Sequence, residues 1–546
     1  MANSTAATSA ARAKQAIAKA LQQRNNENSV KFFATGMVGL MLIFIISHFC
    51  RVLYMRFRSK SSGNRTLKAL IGPLGVFSLE GAFVNVDYST LNGWAKRLGW
   101  VAAGNIALVT FLALKNTPLA FLTAYSYERL NVLHRIGGYA TVFWSILHAV
   151  VYIVAEAKGR DYSSLQEEAQ IMGIVAGFSM LIILVTALLL RKLQYEVFYI
   201  IHIIMFILIL ITVGMHRPNP STKTVYIMVF SAAIWVADRL VRFLKISYFT
   251  FGNSATITPL PHGGTRIILR KSPKNARAGS HCFLWIPGVR ATETHPFTIT
   301  STKPLELVVK AHDGFTRDLH AAALSAPGQV FKASIDGPYS TVPDFSTFNK
   351  IVFIAGGSGA SYTFGVALEL LRKPGQLKCA IEFIWVVKDK EMTTWFGHEL
   401  TMLYASPLVN LRIHSTQSSS SEKPTSIPSP TPSSPISPTS PKSAISSFQA
   451  RTIPSRSDST ASSYQTLEKR FEGMVFLPEA TLPIKTGRPD VAGIIKGVVD
   501  GANGGDRIAV AACGPDEMMR VVRRTAASNM KPDGPALELF CEQFGW

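Results

Sequence analysis

Between Phe33 and Leu244 the chain carries a series of apolar runs, each close to the ~20 residues a helix needs to cross a bilayer. No other feature restricts the fold as much. Hydrocarbon holds no water to bond backbone N–H and C=O groups, so such runs must fold as helices. Clear spans fall at about 33–55, 98–114, 132–155, 170–190, 194–215 and 223–244. A seventh candidate, 67–86, contains Pro73 and Glu80 and either crosses or lies in the interface. Six spans put both termini on one side, and seven put the N-terminus outside. The basic run from Arg51 to Lys68 prefers the cytosol, which favours the seventh crossing. Residues 1–32 are polar, lack the apolar core of a cleavable signal, and read as a mobile or partly helical tail.

A formal net charge of +22 first suggests nucleic acid. The basic residues gather instead beside the apolar spans: Arg51 and Arg56, Lys96 and Arg97, Arg129 and Arg135, Arg191 and Lys192, Arg239 and Arg242. Cations in those places orient membrane spans. No aromatic-rich basic module accompanies them, so no nucleic-acid partner is expected. The five cysteines are scattered, with no CxxC pair and no disulfide framework, which suits a soluble half in a reducing cytosol.

After residue 245 the pattern changes. From 246 to 345 short β-rich runs alternate with Gly and Pro (ATITPL, TRIILR, HCFLWIP, HPFTITS, LELVVKA, QVFKASI), as in a small antiparallel barrel. Residues 346–546 read as a βαβ unit with a parallel sheet, beginning at KIVFIAG and resuming at RIAVAACGP. Residues 415–465 are Ser/Pro-rich, too poor in apolar groups to offset the entropy of ordering, and read as a disordered insertion.

Histidines stand inside the apolar spans, where ionisable groups are costly and usually functional. Fourteen residues separate His134 from His148, and fourteen separate His202 from His216. That step returns to within roughly 40° of the same helix face and rises about 21 Å. One span lies between the two helices, so they run parallel, pairing His134 with His202 and His148 with His216. Each pair can supply two axial nitrogens to one haem iron. The plainer alternative is isolated polar residues bonding neighbouring helices. His48 has no such partner and reads as a span-end or packing residue. Arg129, Arg135, Arg191 and Lys192 place the His134/His202 end in the cytosol.

In the soluble half, Thr298, Thr300 and Ser301 sit where a barrel strand would offer hydroxyls to a flavin and its phosphates, although strand threonines are common. Ile335–Ser340 follows as a turn exposing backbone N–H groups. Gly356, Gly357 and Gly359 lie between a strand and a helix N-terminus, which suits a pyrophosphate or simply a tight turn. Lys388 is placed to meet a 2′-phosphate or to remain a solvated charge. Cys513, Gly514 and Pro515 end a late strand at the edge where α/β sheets bind ligands; a buried structural thiol is the alternative there.

Paired histidines, HPFT, GPYS, GGSG and CGP, in that order, resemble the ferric reductase and NADPH oxidase superfamily, most closely the fungal ferric-chelate metalloreductases. The likeness covers about residues 95–546 apart from the insertion. It implies a multi-domain protein, an α-helical transmembrane haem-binding bundle followed by a ferredoxin-reductase-like module with an antiparallel β-barrel FAD domain and an α/β NADPH domain. By resemblance, His134, His148, His202 and His216 hold two b-type haems. His295, Pro296, Phe297 and Thr298, with Lys310 and Gly314-Phe315-Thr316, contact FAD, and Gly337 and Pro338 belong to the GPYS motif. Gly356, Gly357, Ser358 and Gly359 cradle the NADPH pyrophosphate. Cys513, Gly514 and Pro515 stand at the nicotinamide, and Trp546 takes the place of the terminal aromatic over the flavin ring. Ser340 departs from the more usual Gly after GPY.

The implied activity carries electrons from cytosolic NADPH to an extracytoplasmic ferric or cupric chelate, siderophores among them, in support of iron uptake. The plasma membrane or the vacuolar membrane would house it. Outer loops at about 156–169 and 216–222 are short and lack cysteines, which suits a bulky chelate better than an enclosed oxygen site. A superoxide-generating oxidase is the enzymatic alternative. A colourless transporter with a nucleotide-sensing domain is the non-enzymatic one.

Overall fold

The computed structural model describes residues 2–57, 90–123, 127–159, 162–219, 223–372, 379–417, 483–530 and 534–542. The seventh-span candidate at 67–86, nearly all of the Ser/Pro-rich segment and Trp546 lie outside these.

The membrane half comprises α1 (Ala2–Phe57), α2 (Leu91–Leu112), the short α3 (Pro118–Thr123), α4 (Tyr127–Gly159), α5 (Glu168–Leu193), α6 (Tyr195–His216) and α7 (Thr224–Thr250). Helices α4 to α7 are long and apolar enough to cross a bilayer. Their outward faces carry exposed Phe178, Leu189, Ile200 and Phe243, the reverse of a water-soluble surface and the expected face toward lipid. Residues 2–32, expected as a mobile or partly helical tail, continue the helix of α1, and Glu27 pairs with Lys223 at 2.5 Å. Helix α2 is the most enclosed. Trp100, Val101, Ala103 and Ile106 are buried, and so are the polar Arg97 and Asn105. Asn105 returns its amide to the Val101 carbonyl at 2.9 Å, which satisfies a group that hydrocarbon could not.

Helix α7 leads directly into a seven-stranded antiparallel sheet, β1 (Ser254–Leu260), β2 (Gly264–Leu269), β3 (His281–Trp285), β4 (His295–Thr302), β5 (Leu305–Lys310), β6 (Val330–Lys332) and β7 (Ser334–Tyr339), in the order β6-β1-β2-β5-β4-β3-β7. Alternation delivers Ile257, Ile267, Leu284, Ile299 and Leu307 to one shared core, which α8 (Phe315–Ser325) caps with Phe315 and Leu319. The run read as one strand, QVFKASI, divides at Ala333 into β6 and β7, and β7 carries on through Gly337 and Pro338, so the predicted turn is strand.

The last domain is a parallel six-stranded sheet of β8 (Lys350–Gly356), β9 (Ala380–Val387), β10 (Val409–Ser415), β11 (Ile484–Thr486), β12 (Arg507–Cys513) and β13 (Ala536–Glu542), ordered β11-β10-β9-β8-β12-β13. Helices α9 (Ala360–Leu371) and α10 (Gly397–Tyr404) pack on one face, α11 (Val491–Asp500) and α12 (Asp516–Ser528) on the other. Strand order turns around between β8 and β12, which opens a crevice beyond their carboxyl ends. Ser415, placed by sequence in the insertion, is the last residue of β10.

Candidate functional site

The structure brings the four membrane histidines together as two pairs. The His134 and His202 rings lie 6.1 Å apart between centroids, and the His148 and His216 rings 6.2 Å apart. Three of the four are held from behind by a backbone carbonyl: His134 Nδ1 by Val109 at 2.9 Å, His148 Nδ1 by Ala95 at 2.6 Å and His216 Nδ1 by Ala169 at 2.7 Å. A carbonyl only accepts, so Nδ1 carries the proton and Nε2 keeps its lone pair. His202 Nδ1 is buried with no hydrogen-bond partner among the described residues. Val109 and Ala95 are themselves fourteen residues apart, so antiparallel α2 offers a carbonyl at each level of α4.

Glycines make room for the outer rings. A Cβ on Gly173 would stand 2.6 Å from His216 Nδ1, and one on Gly99 would stand 3.0 Å from His148 Cε1.

The two pairs face different surroundings. Just beyond α2, Lys115 Nζ lies 3.4 Å from the centroid of Phe283 in the barrel, so the His134/His202 end adjoins the flavin module. Burial, with Arg242 and Arg239 nearby, holds the Lys115 ammonium well below the usual lysine range. At the other end, Tyr152 lies 6.4 Å from the His148 ring.

On the barrel, the motifs around His295 and Phe315 converge. The His295 ring stacks on Phe315 at 4.6 Å, Phe297 lies 6.2 Å from the same ring, and the Thr316 hydroxyl accepts the His312 N–H at 2.9 Å. Thr298 and Ser301 are half-buried, whereas Thr300 Oγ1 is buried without a hydrogen-bond partner among the described residues. Lys310 closes β5 and Gly314 precedes α8 with φ +67°. Glu196, at the start of α6, meets Glu293 and His295 with donor atoms within 4.8 Å of one another. The cation already there is Arg290, which donates to both Glu293 oxygens at 2.8 and 3.0 Å.

In the last domain Gly356-Gly357-Ser358-Gly359 and Cys513-Gly514-Pro515 pack directly together across the strand-order reversal. A Cβ on Gly356 would stand 2.5 Å from Pro515 Cδ, and one on Gly359 would run into the Cys513 carbonyl. Only glycine lets the two loops approach this closely. Burial pushes the Cys513 thiol up to about 12, so it is a neutral packing group at physiological pH. Lys388 follows β9 and is exposed. The loops are tied back to the barrel through α9, whose Ser361 Oγ donates to the Val308 carbonyl at 3.1 Å and whose Glu369 accepts the Ala278 N–H at 2.9 Å. A hollow of about 560 Å³ lined by Lys350, Glu382, Arg412 and Asp490 lies at the opposite edge, where these strands begin, and takes no part in the crevice.

Sequence reasoning missed the backbone carbonyls of α2, which carry no side-chain signature, and the Arg242–Asp336 contact between membrane helix and barrel. The only available hint for the latter was an acidic residue in a strand otherwise facing a core.

Three domain profiles match in succession: a ferric reductase like transmembrane component over residues 98–213, an FAD-binding domain over 252–343 and a ferric reductase NAD binding domain over 348–527. A probable cell surface ferric reductase of Aspergillus oryzae is 28% identical over 56% of this chain and 45% of its own length. The ferric reductase transmembrane component 1 of Schizosaccharomyces pombe is 25% identical over 79% of this chain and 76% of its own. A Candida albicans ferric/cupric reductase transmembrane component is 27% identical over 58% of this chain and 43% of its own. The chain therefore spans about half the length of several relatives it matches. It belongs to the ferric reductase family, membrane oxidoreductases that carry FAD- and NADPH-binding domains.

Proposed function

We propose that this protein carries electrons from cytosolic NADPH across the membrane, through FAD and two b-type haems, to a ferric or cupric chelate on the far side. The observation that carries the reading is the pairing of the histidines: the His134 and His202 rings lie 6.1 Å apart and the His148 and His216 rings 6.2 Å apart, so each pair would offer two ring nitrogens to one haem iron. The donor set fits haem in a second respect. The Val109, Ala95 and Ala169 carbonyls accept the Nδ1–H groups and leave Nε2 of His134, His148 and His216 free for a metal.

When bound, these cofactors supply hydride uptake, its division into single electrons, and a conducting path through hydrocarbon. The chain's own contribution is position. His295, Phe297, Thr298 and Phe315 form the flavin face of the barrel, supported by Lys310, Gly314, Thr316, Gly337 and Pro338. Thr300 and Ser301 offer hydroxyls to the flavin phosphates, and the buried Thr300 oxygen has no hydrogen-bond partner among the described residues. Gly356 to Gly359, at the start of α9, bind the NADPH pyrophosphate, while Lys388 meets the 2′-phosphate and Cys513-Gly514-Pro515 flank the nicotinamide. No acid–base dyad is required.

The purified protein is expected to show a b-type cytochrome spectrum that NADPH reduces, and His148→Ala is expected to lose the outer haem. Under nitrogen it should reduce a ferric chelate on addition of NADPH. Iron reduction seen only in air, and abolished by superoxide dismutase, would assign the acceptor to oxygen instead. A colourless preparation would end the reading altogether.

A further inference from the structure

Where the last membrane helix meets the barrel, one carboxylate serves two partners. Asp336 in β7 is wholly buried; one oxygen accepts Arg242 Nε–H at 2.6 Å and the other accepts the Tyr339 hydroxyl at 2.5 Å. Arg242 belongs to α7, and its guanidinium also lies 5.4 Å from the Phe283 ring. Tyr339 lies just past Gly337-Pro338. Its ring meets Tyr127 of α4 edge-on at 5.9 Å and Lys245 of α7 at 5.1 Å. Lys245 itself donates to Asn116 Oδ1 at 2.5 Å, and Asn116 donates its backbone and side-chain N–H groups to Asp238 at 2.8 and 3.0 Å. Tyr339 is thus oriented by its own strand at the hydroxyl and by two membrane helices at the ring.

A buried ion pair is weak evidence for stability, because desolvation offsets most of the attraction. Its directional bonds nevertheless permit few relative placements of the two elements that carry it. Here those elements are a helix rising from the membrane and the strand bearing Gly337-Pro338. We propose that the Arg242–Asp336–Tyr339 triad is the positioning element that fixes the flavin barrel against the membrane bundle, with Arg242 setting the placement of the GPYS strand from the membrane side. The electron route through that junction rests on the function proposed above; the mechanical role does not. Electron transfer weakens with distance, so a displaced barrel slows the step across the junction and leaves hydride loading of the flavin largely unaffected.

The test uses the full-length protein with FAD and compares Arg242→Gln, Asp336→Asn and the double variant in three measurements. These are NADPH-driven reduction of a soluble dye that takes electrons directly from the flavin, reduction of a ferric chelate, and backbone hydrogen exchange over 334–340. Each single variant is expected to slow chelate reduction several-fold, to keep dye reduction within about twofold, and to raise exchange in that strand. The double variant should be no worse than either single one, since both remove the same contact. Equal losses in both reactions, unchanged chelate reduction, or additive losses in the double variant would overturn the proposal. Should Arg242→Gln fail to accumulate, Asp336→Asn alone carries the same comparison. If the wild-type protein reduces no chelate, the proposed function falls while the exchange measurement still decides the clamp: unchanged protection of 334–340 in Asp336→Asn would refute it.

Discussion

At the scale of single residues, the histidine sites depend on what stands behind each ring. Gly173 leaves 2.6 Å between a would-be Cβ and His216, and Gly99 leaves 3.0 Å at His148. Gly173→Ala should therefore displace its imidazole more than Gly99→Ala does. On the function proposed above, affinity for a haem held by His148 and His216 is expected to fall about 10- to 100-fold in Gly173→Ala, the range seen when a ligand's supporting contact is lost, with a smaller loss in Gly99→Ala. Quantitative haem titration of both proteins decides this, and equal loss would contradict it. Cys513 gives a pH prediction. Its burial favours the neutral thiol and lifts its ionisation to about 12, so the reactive thiolate is scarce below about pH 10. Cys513 should resist alkylation by iodoacetamide between pH 7 and 9, and Cys513→Ala should leave the shape of the pH profile for flavin reduction unaltered. Mass spectrometry after timed labelling reads the first outcome.

At the scale of elements, what was legible in the sequence follows from which interactions have a side-chain signature. The spacing of His134, His148, His202 and His216 was visible because both helices repeat the same fourteen-residue step. The carbonyls of Val109 and Ala95 were not, since every residue has one and only packing selects among them. Strands of the barrel were readable from alternation, yet Gly337 and Pro338 read as a turn because they form a bulge, and it is Asp336 before them and Tyr339 after them that pair with β3. Strand β11, three residues long, has no pattern of its own and forms by pairing alongside β10. The barrel and the NADPH domain are joined by Arg266, which donates to Glu306 at 2.8 Å and to the Trp395 carbonyl at 2.6 Å and approaches Glu399 at 3.6 Å. Arg266→Met strands two largely buried carboxylates and should cost about 3–5 kcal/mol, read as a lower denaturation midpoint. Burial, with Glu399 alongside, raises the Glu306 carboxyl above the ordinary range despite Arg266. A raised acid favours the folded state most when protonated, so its contribution is lost as pH rises through the folded-state value. Glu306→Gln should remove that dependence, and thermal unfolding of the two proteins across pH 4–8 would show it.

At the scale of the whole molecule, the two histidine pairs mark two ends of one membrane domain. Lys115, Arg242 and Lys245 bring the His134/His202 end against Phe283, Asp336 and Tyr339 of the barrel, and α9 ties that barrel to the nucleotide crevice. The His148/His216 end lies on the opposite side of the bundle, about 21 Å away by helix rise. The order of domains was legible because membrane, barrel and parallel-sheet sequences differ in period and composition. Their mutual docking was not, because it rests on a few buried polar contacts between distant parts of the chain. The most direct test of transmembrane transfer uses vesicles holding the protein with its flavin domain outward and a membrane-impermeant ferric chelate sealed inside. External NADPH should reduce the enclosed chelate, and His202→Ala should abolish that reduction while leaving NADPH-driven dye reduction at the flavin. Reduction confined to chelate on the NADPH side, or an enclosed chelate reduced equally well by His202→Ala, would contradict the account.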